Sequence, residues 1–279
     1  MSITNSINSV IEMLKSMASN YDLNKLHSAT LYSILDCILA KKGFDIKKRK
    51  ELLIGLKQLL PPIVQTLVKT KLETPLGKFA DTIQKILESK YIVLDSLASL
   101  DYVIKHISSV ARKVDNVLIF DALSPVELVV IAGYLESRGF KTTVTEVVFI
   151  NPIGLTRFLT AQMGIHSTLR DVASYIAGQL SARSYFKSSY MDEKVHSLGY
   201  MGIEEFVKNV NLKSLAESIE HVACSGNTLI LSDHGYDVIW DREAHYLLVT
   251  HGFKEGKFEY EVIAPLSKIA VPLLIYRRY

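Results

Sequence analysis

The segment NVLIFDALSPVE, residues 116–127, decides the fold because the sequence pattern changes there from helical to mixed. Its first five residues are almost all apolar, which is typical of a strand buried on both faces of a sheet. Asp121 closes this strand, and Ser124 followed by Pro125 is a typical helix start, with the serine as N-cap. A second β-rich run covers residues 142–149. Strand, helix and strand of these lengths predict a βαβ unit in an α/β fold, with a mainly parallel sheet sandwiched by helices.

The first 112 residues have a different pattern, and we predict that they form an all-α helical region. Apolar residues recur there at helical spacing, as in Leu31, Ile34 and Ile38, and no alternating strand pattern is present. This spacing predicts a small bundle of four to six helices. We therefore predict two domains, a helical N-terminal domain at residues 1–112 and an α/β domain at residues 113–279.

Apolar patterns also predict the remaining elements of the second domain. Residues 166–187 have apolar side chains in helical register, and so do residues 203–219. The strand-like segments are residues 228–231, a hairpin at 237–249, and two closing runs at 260–263 and 271–276.

Charge is distributed unevenly over the 279 residues, whose formal net charge is +3. Residues 1–112 contain 16 Lys and Arg against 10 Asp and Glu, whereas the rest of the chain contains 16 against 19. The densest basic run is KKRK at residues 47–50. It is either the solvated start of a helix or a contact site for an acidic partner such as nucleic acid. No aromatic residue interleaves this run, so base stacking has no support.

The sequence predicts a cytoplasmic protein that does not enter a membrane. No window has 18 consecutive apolar residues, and the N-terminus lacks the basic segment and apolar block of a secretory signal. The two cysteines, Cys37 and Cys224, lie far apart in apolar surroundings. This predicts two buried free thiols in a reducing compartment.

Acidic and histidine side chains follow two of the predicted buried strands. Asp121 follows the first strand, and Asp233 with His234 follows the strand at residues 228–231. Because α/β sheets bind ligands at the carboxyl ends of their strands, we expect these side chains at one edge of the sheet. Asp and His are natural ligands of a divalent metal ion.

A second set of candidate ligands lies on a predicted helix and after a later strand. Asp192 and His196 are four residues apart, which places both on one helix face, where they can chelate one ion. His251 follows a strand and is a candidate third ligand. Asp241 and His245 have the same spacing, but the alternation that follows them indicates a strand, which separates the two side chains.

The order of these residues resembles that of the alkaline phosphatase superfamily, and three segments are most similar to PglZ domains. The segments are VLIFDAL at residues 117–123, LSDHG at 231–235 and THGF at 250–253. The resemblance covers residues 113–279. It implies an alkaline phosphatase-like core with two divalent metal ions, usually zinc, with manganese or magnesium as alternatives.

The resemblance assigns the six candidate ligands to two ions. One ion would be held by Asp192, His196 and His251, and the other by Asp121, Asp233 and His234 together with the hydroxyl of the nucleophile. Three protein ligands with an open position are the arrangement that a catalytic zinc ion requires. Two such ions would stabilise the attacking and leaving oxygens of a displacement at phosphorus.

The resemblance also implies a nucleophile and a phosphate-binding residue. A Thr or Ser at a helix start after a proline-containing turn would be the nucleophile, and Thr156 matches this position, with Thr160 as the fallback. Arg157 would orient the phosphate group, with Arg183 and Lys194 as alternatives.

The function that follows from the resemblance is a metal-dependent phosphohydrolase, either a phosphomonoesterase or a phosphodiesterase, acting on a phosphate ester substrate. A different class stays open: a non-catalytic PglZ-type scaffold in a defence or signalling assembly. In that interpretation, the basic helical region contacts nucleic acid or a protein partner. A mutase that transfers phosphate within its substrate is a third interpretation.

Overall fold

A computed structural model of the chain describes residues 3–67, 73–88, 97–164, 166–252 and 259–277. Up to residue 112, the described residues form helices and no strand, so the prediction of a helical region is confirmed for them. Seven helices occur in this described part: α1 (Ile3–Ala18), α2 (Leu23–Lys41), α3 (Ile46–Leu52), α4 (Ile54–Gln58), α5 (Pro62–Leu67), α6 (Glu73–Glu88) and α7 (Leu100–Val110). The number exceeds the predicted four to six because the chain breaks into short helices at Leu53 and before Pro62.

Helices and strands alternate after residue 112, which confirms the α/β fold. The strands are β1 (Asn116–Phe120), β2 (Phe140–Val144), β3 (Phe149–Ile150), β4 (Ser184–Ser188), β5 (Thr228–Ser232), β6 (Asp237–Asp241), β7 (Tyr246–Thr250), β8 (Tyr260–Pro265), β9 (Ile269–Ala270) and β10 (Leu273–Arg277). The helices are α8 (Pro125–Ser137), α9 (Thr156–Thr160), α10 (Leu169–Gln179), α11 (Tyr190–Leu198), α12 (Ile203–Asn209) and α13 (Leu212–Ala223).

Two of the predicted helices need correction. The helix predicted at residues 166–187 ends at Gln179, and the strand β4 follows it. β4 is a strand because it pairs in parallel with β1, and local periodicity does not reveal such a distant partner. The amphipathic segment at residues 203–219 is two helices, since the backbone at Val210 is extended.

The main sheet has five strands in the order β2-β10-β5-β1-β4. β1 lies between β4 and β5 and pairs with both in parallel. β10 pairs antiparallel with both β5 and β2, so the sheet is mixed. The prediction of a mainly parallel sheet was therefore wrong, since two of the four strand pairs in this sheet are antiparallel. β10 and β5 separate β2 from β1. The predicted hairpin is present as β6 and β7, and β8 joins them in a separate three-stranded sheet.

Two layers of helices enclose the main sheet. Along β1, Leu118 and Phe120 belong to one hydrophobic core, and Val117 and Ile119 belong to another on the opposite face. The first core also contains side chains of α1, α2, α6, α8 and α13. The second core contains side chains of α7 and α10. The helices therefore sandwich the sheet, as predicted.

The helical region packs directly on the α/β region. Gly133 of α8 lies so close to α1 that an added Cβ atom would stand 2.6 Å from the Cβ atom of Leu14. Only glycine permits this approach. Because one hydrophobic core combines side chains from both sides of residue 112, the two regions share their interior. The division into domains at residue 112 stays a prediction.

Membrane insertion and the state of the cysteines were also predicted from sequence. Among the helices of the described residues, none combines the length and the apolar character that crossing a membrane requires. Both cysteines are free, but Cys37 is only half-buried and Cys224 is exposed. The expectation of two buried thiols was therefore wrong, and the cytoplasmic location stays a prediction.

Candidate metal centre

Two neighbouring parallel strands bring Asp121 and Asp233 to the same edge of the sheet. Phe120, the last residue of β1, is in register with Ser232, the last residue of β5, and one carboxylate follows each. The backbone N–H of Asp233 donates to the Phe120 carbonyl at 3.2 Å, and the N–H of Ala122 donates to Asp233 Oδ1 at 3.3 Å. Ala122 has a φ of +64°, a left-handed conformation that is strained for alanine. The expected convergence at the carboxyl ends of the strands is thus present.

His234 completes a buried group with these two carboxylates. Its Nε2 atom lies 3.6 Å from Asp121 Oδ1 and 3.5 Å from Asp233 Oδ2. Its Nδ1 atom lies 2.7 Å from the Gly235 carbonyl oxygen. A carbonyl oxygen can only accept, so the proton is on Nδ1 and the Nε2 lone pair faces the carboxylates. All three side chains therefore present free electron pairs to one point.

Asp192, His196 and His251 form the second group. Asp192 and His196 lie on α11, and His251 directly follows β7. Asp192 Oδ1 is 3.3 Å from His196 Nε2 and 2.9 Å from His251 Nε2. The two histidine Nε2 atoms are 3.0 Å apart. The i, i+4 spacing does place both α11 side chains on one face, and the tertiary fold adds His251.

The two groups adjoin each other through His234 and His251, whose ring centroids are 4.8 Å apart. Within each group, the candidate ligand atoms all lie within 4.8 Å of one another. The structure therefore brings the six candidate ligands together in the same two sets of three that the resemblance implies. That these sets bind ions stays a prediction. We call them together the six-ligand centre.

Burial and mutual repulsion shift several pKa values in the six-ligand centre. Burial, followed by repulsion from Asp121, raises the pKa of Asp233 to about 6, although His234 opposes the shift. Burial and the charge of Asp192 raise the pKa of Asp121. Burial and the proximity of His234 lower the pKa of His251 to about 4. Burial thus favours the uncharged forms of the two carboxyl groups and of His251.

Divalent cations fit this donor set. Asp233 is completely buried, and its Oδ2 atom has no hydrogen-bond partner among the described residues. A buried carboxylate oxygen without a partner is costly, and a cation would compensate it. Carboxylate oxygen and imidazole nitrogen are ligands that zinc and manganese both accept.

Thr156 stands beside the group of Asp121, Asp233 and His234. It is the first residue of α9, and its Oγ1 atom lies 3.3 Å from both Asp121 Oδ1 and His234 Nε2. The predicted helix start is correct, but α9 is a single turn, so its dipole contributes little. The hydroxyl of Thr160, the fallback, donates instead to the Thr156 carbonyl.

A buried asparagine that the sequence analysis did not single out holds the Thr156 loop. Asn151 Oδ1 accepts from the Gly154 N–H at 2.9 Å, and its Nδ2 donates to the Leu155 carbonyl at 2.9 Å. The same amide donates to the Asp233 carbonyl at 3.0 Å. Asn151 therefore ties the turn before Thr156 to the strand end that carries Asp233. In the sequence, the signal for this role was the Asn-Pro pair that begins at Asn151, which marks a turn.

A basic residue that was not predicted from the sequence, Lys187, lies beside the six-ligand centre. Its Nζ atom lies 3.5 Å from Asp121 Oδ2. Lys187 is on β4, the strand that was mistaken for a helix. Of the expected basic residues, Arg183 pairs with Asp115 at 2.6 Å, near the start of β4 and away from the six-ligand centre. Arg157 is exposed, and the Lys194 ammonium lies 5.6 Å from the Tyr190 ring centroid.

The alternative pair Asp241 and His245 belongs to the turn between β6 and β7. Asp241 Oδ1 accepts the backbone N–H groups of Glu243 and Ala244, and His245 is exposed. The interpretation of this pair as part of a strand hairpin is confirmed.

A cavity of about 480 Å³ opens beside His196 and His251, with Tyr200, Ile239 and Leu248 on its walls. Two members of the second group, His196 and His251, therefore line a recess with apolar and aromatic walls. Comparison of the sequence with known protein families and with curated proteins gave no match.

Proposed function

We propose that this protein is a metal-dependent phosphohydrolase, a phosphomonoesterase or phosphodiesterase with Thr156 as its nucleophile. We further propose that it has an alkaline phosphatase-like core and is similar to PglZ domains. One observation carries the proposal: two adjoining groups of three ligands stand beside a threonine hydroxyl that is 3.3 Å from Asp121 and from His234.

The six-ligand centre would hold two divalent ions, with zinc preferred and manganese or magnesium as alternatives. Asp192, His196 and His251 would bind one, and Asp121, Asp233 and His234 the other. When bound, such ions act as Lewis acids that polarise phosphoryl oxygens and stabilise the charge of the transition state.

Thr156 carries out the first chemical step. Its Oγ1 atom forms a bond to phosphorus while the bond from phosphorus to the leaving oxygen breaks. The hydroxyl proton passes to Asp121, whose Oδ1 atom accepts it at 3.3 Å, and from there through solvent to the leaving oxygen, which restores the Asp121 carboxylate. Water then cleaves the phosphothreonine bond, which releases the phosphate and restores the hydroxyl.

Positive charge on the chain supports the binding of a phosphate ester. Lys187 is within 3.5 Å of Asp121 and is about one-third exposed, so it can contact both the six-ligand centre and an entering anion. A lysine ammonium binds phosphate as a point charge, without the bidentate geometry of arginine. We therefore assign phosphate contact to Lys187 ahead of Arg157, whose side chain is exposed.

The test is hydrolysis of aryl phosphate monoesters and diesters with added zinc or manganese. His234→Ala should lower the activity by about three orders of magnitude, since a Lewis-acid contact contributes several kcal/mol. His221→Ala is the matched control, because His221 is an exposed histidine on α13 outside the six-ligand centre. Activity that survives His234→Ala would contradict the proposal.

Elemental analysis of the purified protein separates the enzyme from the scaffold alternative. The enzyme should contain up to two equivalents of metal and gain thermal stability from zinc. A protein that takes up no metal would favour the non-catalytic scaffold, with the basic helical region as its contact surface.

A further inference from the structure

A completely buried polar network lies next to the six-ligand centre and does not belong to it. It consists of Glu127 on α8, His27 on α2, Ser124 and Tyr236, and none of these residues is exposed to solvent. We call it the Glu127 network. A fully buried carboxylate far from solvent is rare and has to be compensated by several donors.

Three side chains donate to the Glu127 carboxylate. Its Oε1 atom accepts from His27 Nε2 at 2.6 Å and from the Tyr236 hydroxyl at 2.6 Å. Its Oε2 atom accepts from the Ser124 hydroxyl. Ser124 Oγ also accepts the Val126 N–H at 3.1 Å as the N-cap of α8. Both carboxylate oxygens therefore have fixed partners.

The partners lie on the segments that carry the metal ligands. Ser124 is three residues after Asp121, and Tyr236 is two residues after His234. The two segments also touch, since a Cβ atom added to Gly235 would lie 3.0 Å from the Ser124 Cα atom. Glu127 thus connects the loop after β1 to the loop after β5, which together provide Asp121, Asp233 and His234.

His27 brings the helical region into the same network. It is on α2 and reaches Glu127 across the interface with α8. A buried charged group adds little to the free energy of unfolding, because the cost of its desolvation offsets most of the attraction to its partners. Such a group can still hold the elements around it in one arrangement. The elements it fixes here are α2, α8 and the two ligand-bearing loops.

We propose that Glu127, His27 and Tyr236 are positioning residues for the ion site formed by Asp121, Asp233 and His234. They set the distance between the loops after β1 and β5, and they make this distance depend on α2 of the helical region. None of the hydrogen bonds of the Glu127 network reaches the other ion site, on α11 and after β7. This inference rests on the proposed function, because it requires the six-ligand centre to bind metal.

Calorimetric titration of zinc chloride into the metal-free full chain tests the proposal. Wild type should bind two equivalents of zinc. Tyr236→Phe keeps the ring, which packs edge-on against Phe206 at 5.1 Å, and removes only the hydroxyl. It should weaken one of the two sites by roughly 10- to 100-fold, the usual effect of removing a residue that orients a metal ligand. The second site should keep its affinity.

The matched control is Tyr134→Phe. The Tyr134 hydroxyl also donates to a glutamate, Glu220 at 2.8 Å. Tyr134 lies on α8, as Glu127 does, but near the other end of the helix from the ligand-bearing loops. Its removal should leave both zinc affinities unchanged. A Tyr236→Phe protein that binds both ions as wild type does, or that weakens both equally, would overturn the proposal.

A second pair of variants tests the role of the helical region. His27→Leu should weaken the same zinc site as Tyr236→Phe, whereas His27→Gln, whose amide can replace the Nε2 donor, should restore it. A merely structural role would give equal loss for both variants, or loss at both zinc sites, and would contradict the proposal. If wild type binds two zinc ions and these variants do not differ, only this inference fails. If wild type binds no zinc, the proposed function fails with it.

Discussion

The imidazole rings of His234 and His251 lie 4.8 Å apart and are tilted by 40°, although one follows β5 and the other follows β7 of a different sheet. This contact joins two groups of three ligands into one centre. His234 faces two carboxylates, and His251 faces Asp192 and His196. In the proposed function, ions held by the two groups would act on one phosphoryl group.

Replacement of the proposed nucleophile should separate chemistry from metal binding. Thr156→Ala should lower kcat by about 10³-fold or more, because it removes the attacking oxygen. Zinc affinity should fall less than in a variant that lacks one of the six candidate ligands, since those ligands all remain in Thr156→Ala. Thr156→Ser is the matched control and should keep much of the activity. The measurement is steady-state hydrolysis of an aryl phosphate together with zinc titration. Equal activity of the Ala and Ser variants would remove Thr156 from the mechanism.

Loss of one histidine should empty one ion site. His251→Ala should reduce the zinc content from two equivalents to one, because Asp192 and His196 alone supply only two ligands. The measurement is elemental analysis after dialysis against a limited zinc buffer. His221→Ala, at an exposed histidine outside the six-ligand centre, is again the control. Retention of both equivalents by His251→Ala would show that the group of Asp192 does not bind zinc.

Lys187 should contribute to the binding of the phosphate ester. Lys187→Ala should raise KM by about tenfold, since a charged hydrogen bond contributes about 1.5 kcal/mol. Arg183→Ala is the control, because Arg183 precedes the same strand but pairs with Asp115 away from the six-ligand centre. The comparison requires full Michaelis–Menten curves for both variants. An equal rise in KM for the two variants would exclude a specific role for Lys187.

Acid should destabilise the protein through Glu127. Burial opposes the ionisation of Glu127, but the hydrogen bonds from His27, Ser124 and Tyr236 outweigh it and hold the pKa below its ordinary value of 4.5. A depressed pKa in the folded state stabilises the protein above the unfolded pKa, and this contribution is lost as the pH falls through the folded pKa.

Glu127→Gln should therefore destabilise the protein at pH 7 and show a weaker loss of stability below pH 4.5 than wild type does. The measurement is urea denaturation of the metal-free protein between pH 3 and pH 7. Parallel pH profiles for the two proteins would contradict the assigned shift.

Much of the candidate site could be predicted from local sequence. An apolar run that ends in aspartate marks a buried strand and its carboxyl end, as at Phe120 and Asp121. A spacing of four residues on a helix brings Asp192 and His196 together, because the helix repeats every 3.6 residues. These predictions succeeded because each depends on the periodicity of a single element.

Predictions failed where a distant partner determined the structure. β4 is a strand because it pairs with β1. The residues before β4 have helical periodicity, which led to the prediction of a helix over β4. Lys187, which lies on β4, was therefore not predicted as a site residue. β10 inserts antiparallel between β2 and β5, which no pattern within residues 271–276 could reveal. Asn151 and the Glu127 network were missed because their role lies in bonds to residues far away in the chain.

The sequence by itself determined most of the helices, the buried apolar strands β1 and β5, and which residues can ligate a metal ion, because these properties depend on side-chain chemistry and local backbone repeat. Only the tertiary structure decided which ligands meet. His234 reaches His251, and His27 reaches Glu127, through the packing of the sheets and of α2 on α8. Burial of apolar surface and strand register over long separations fix those contacts, and neither leaves a local signal.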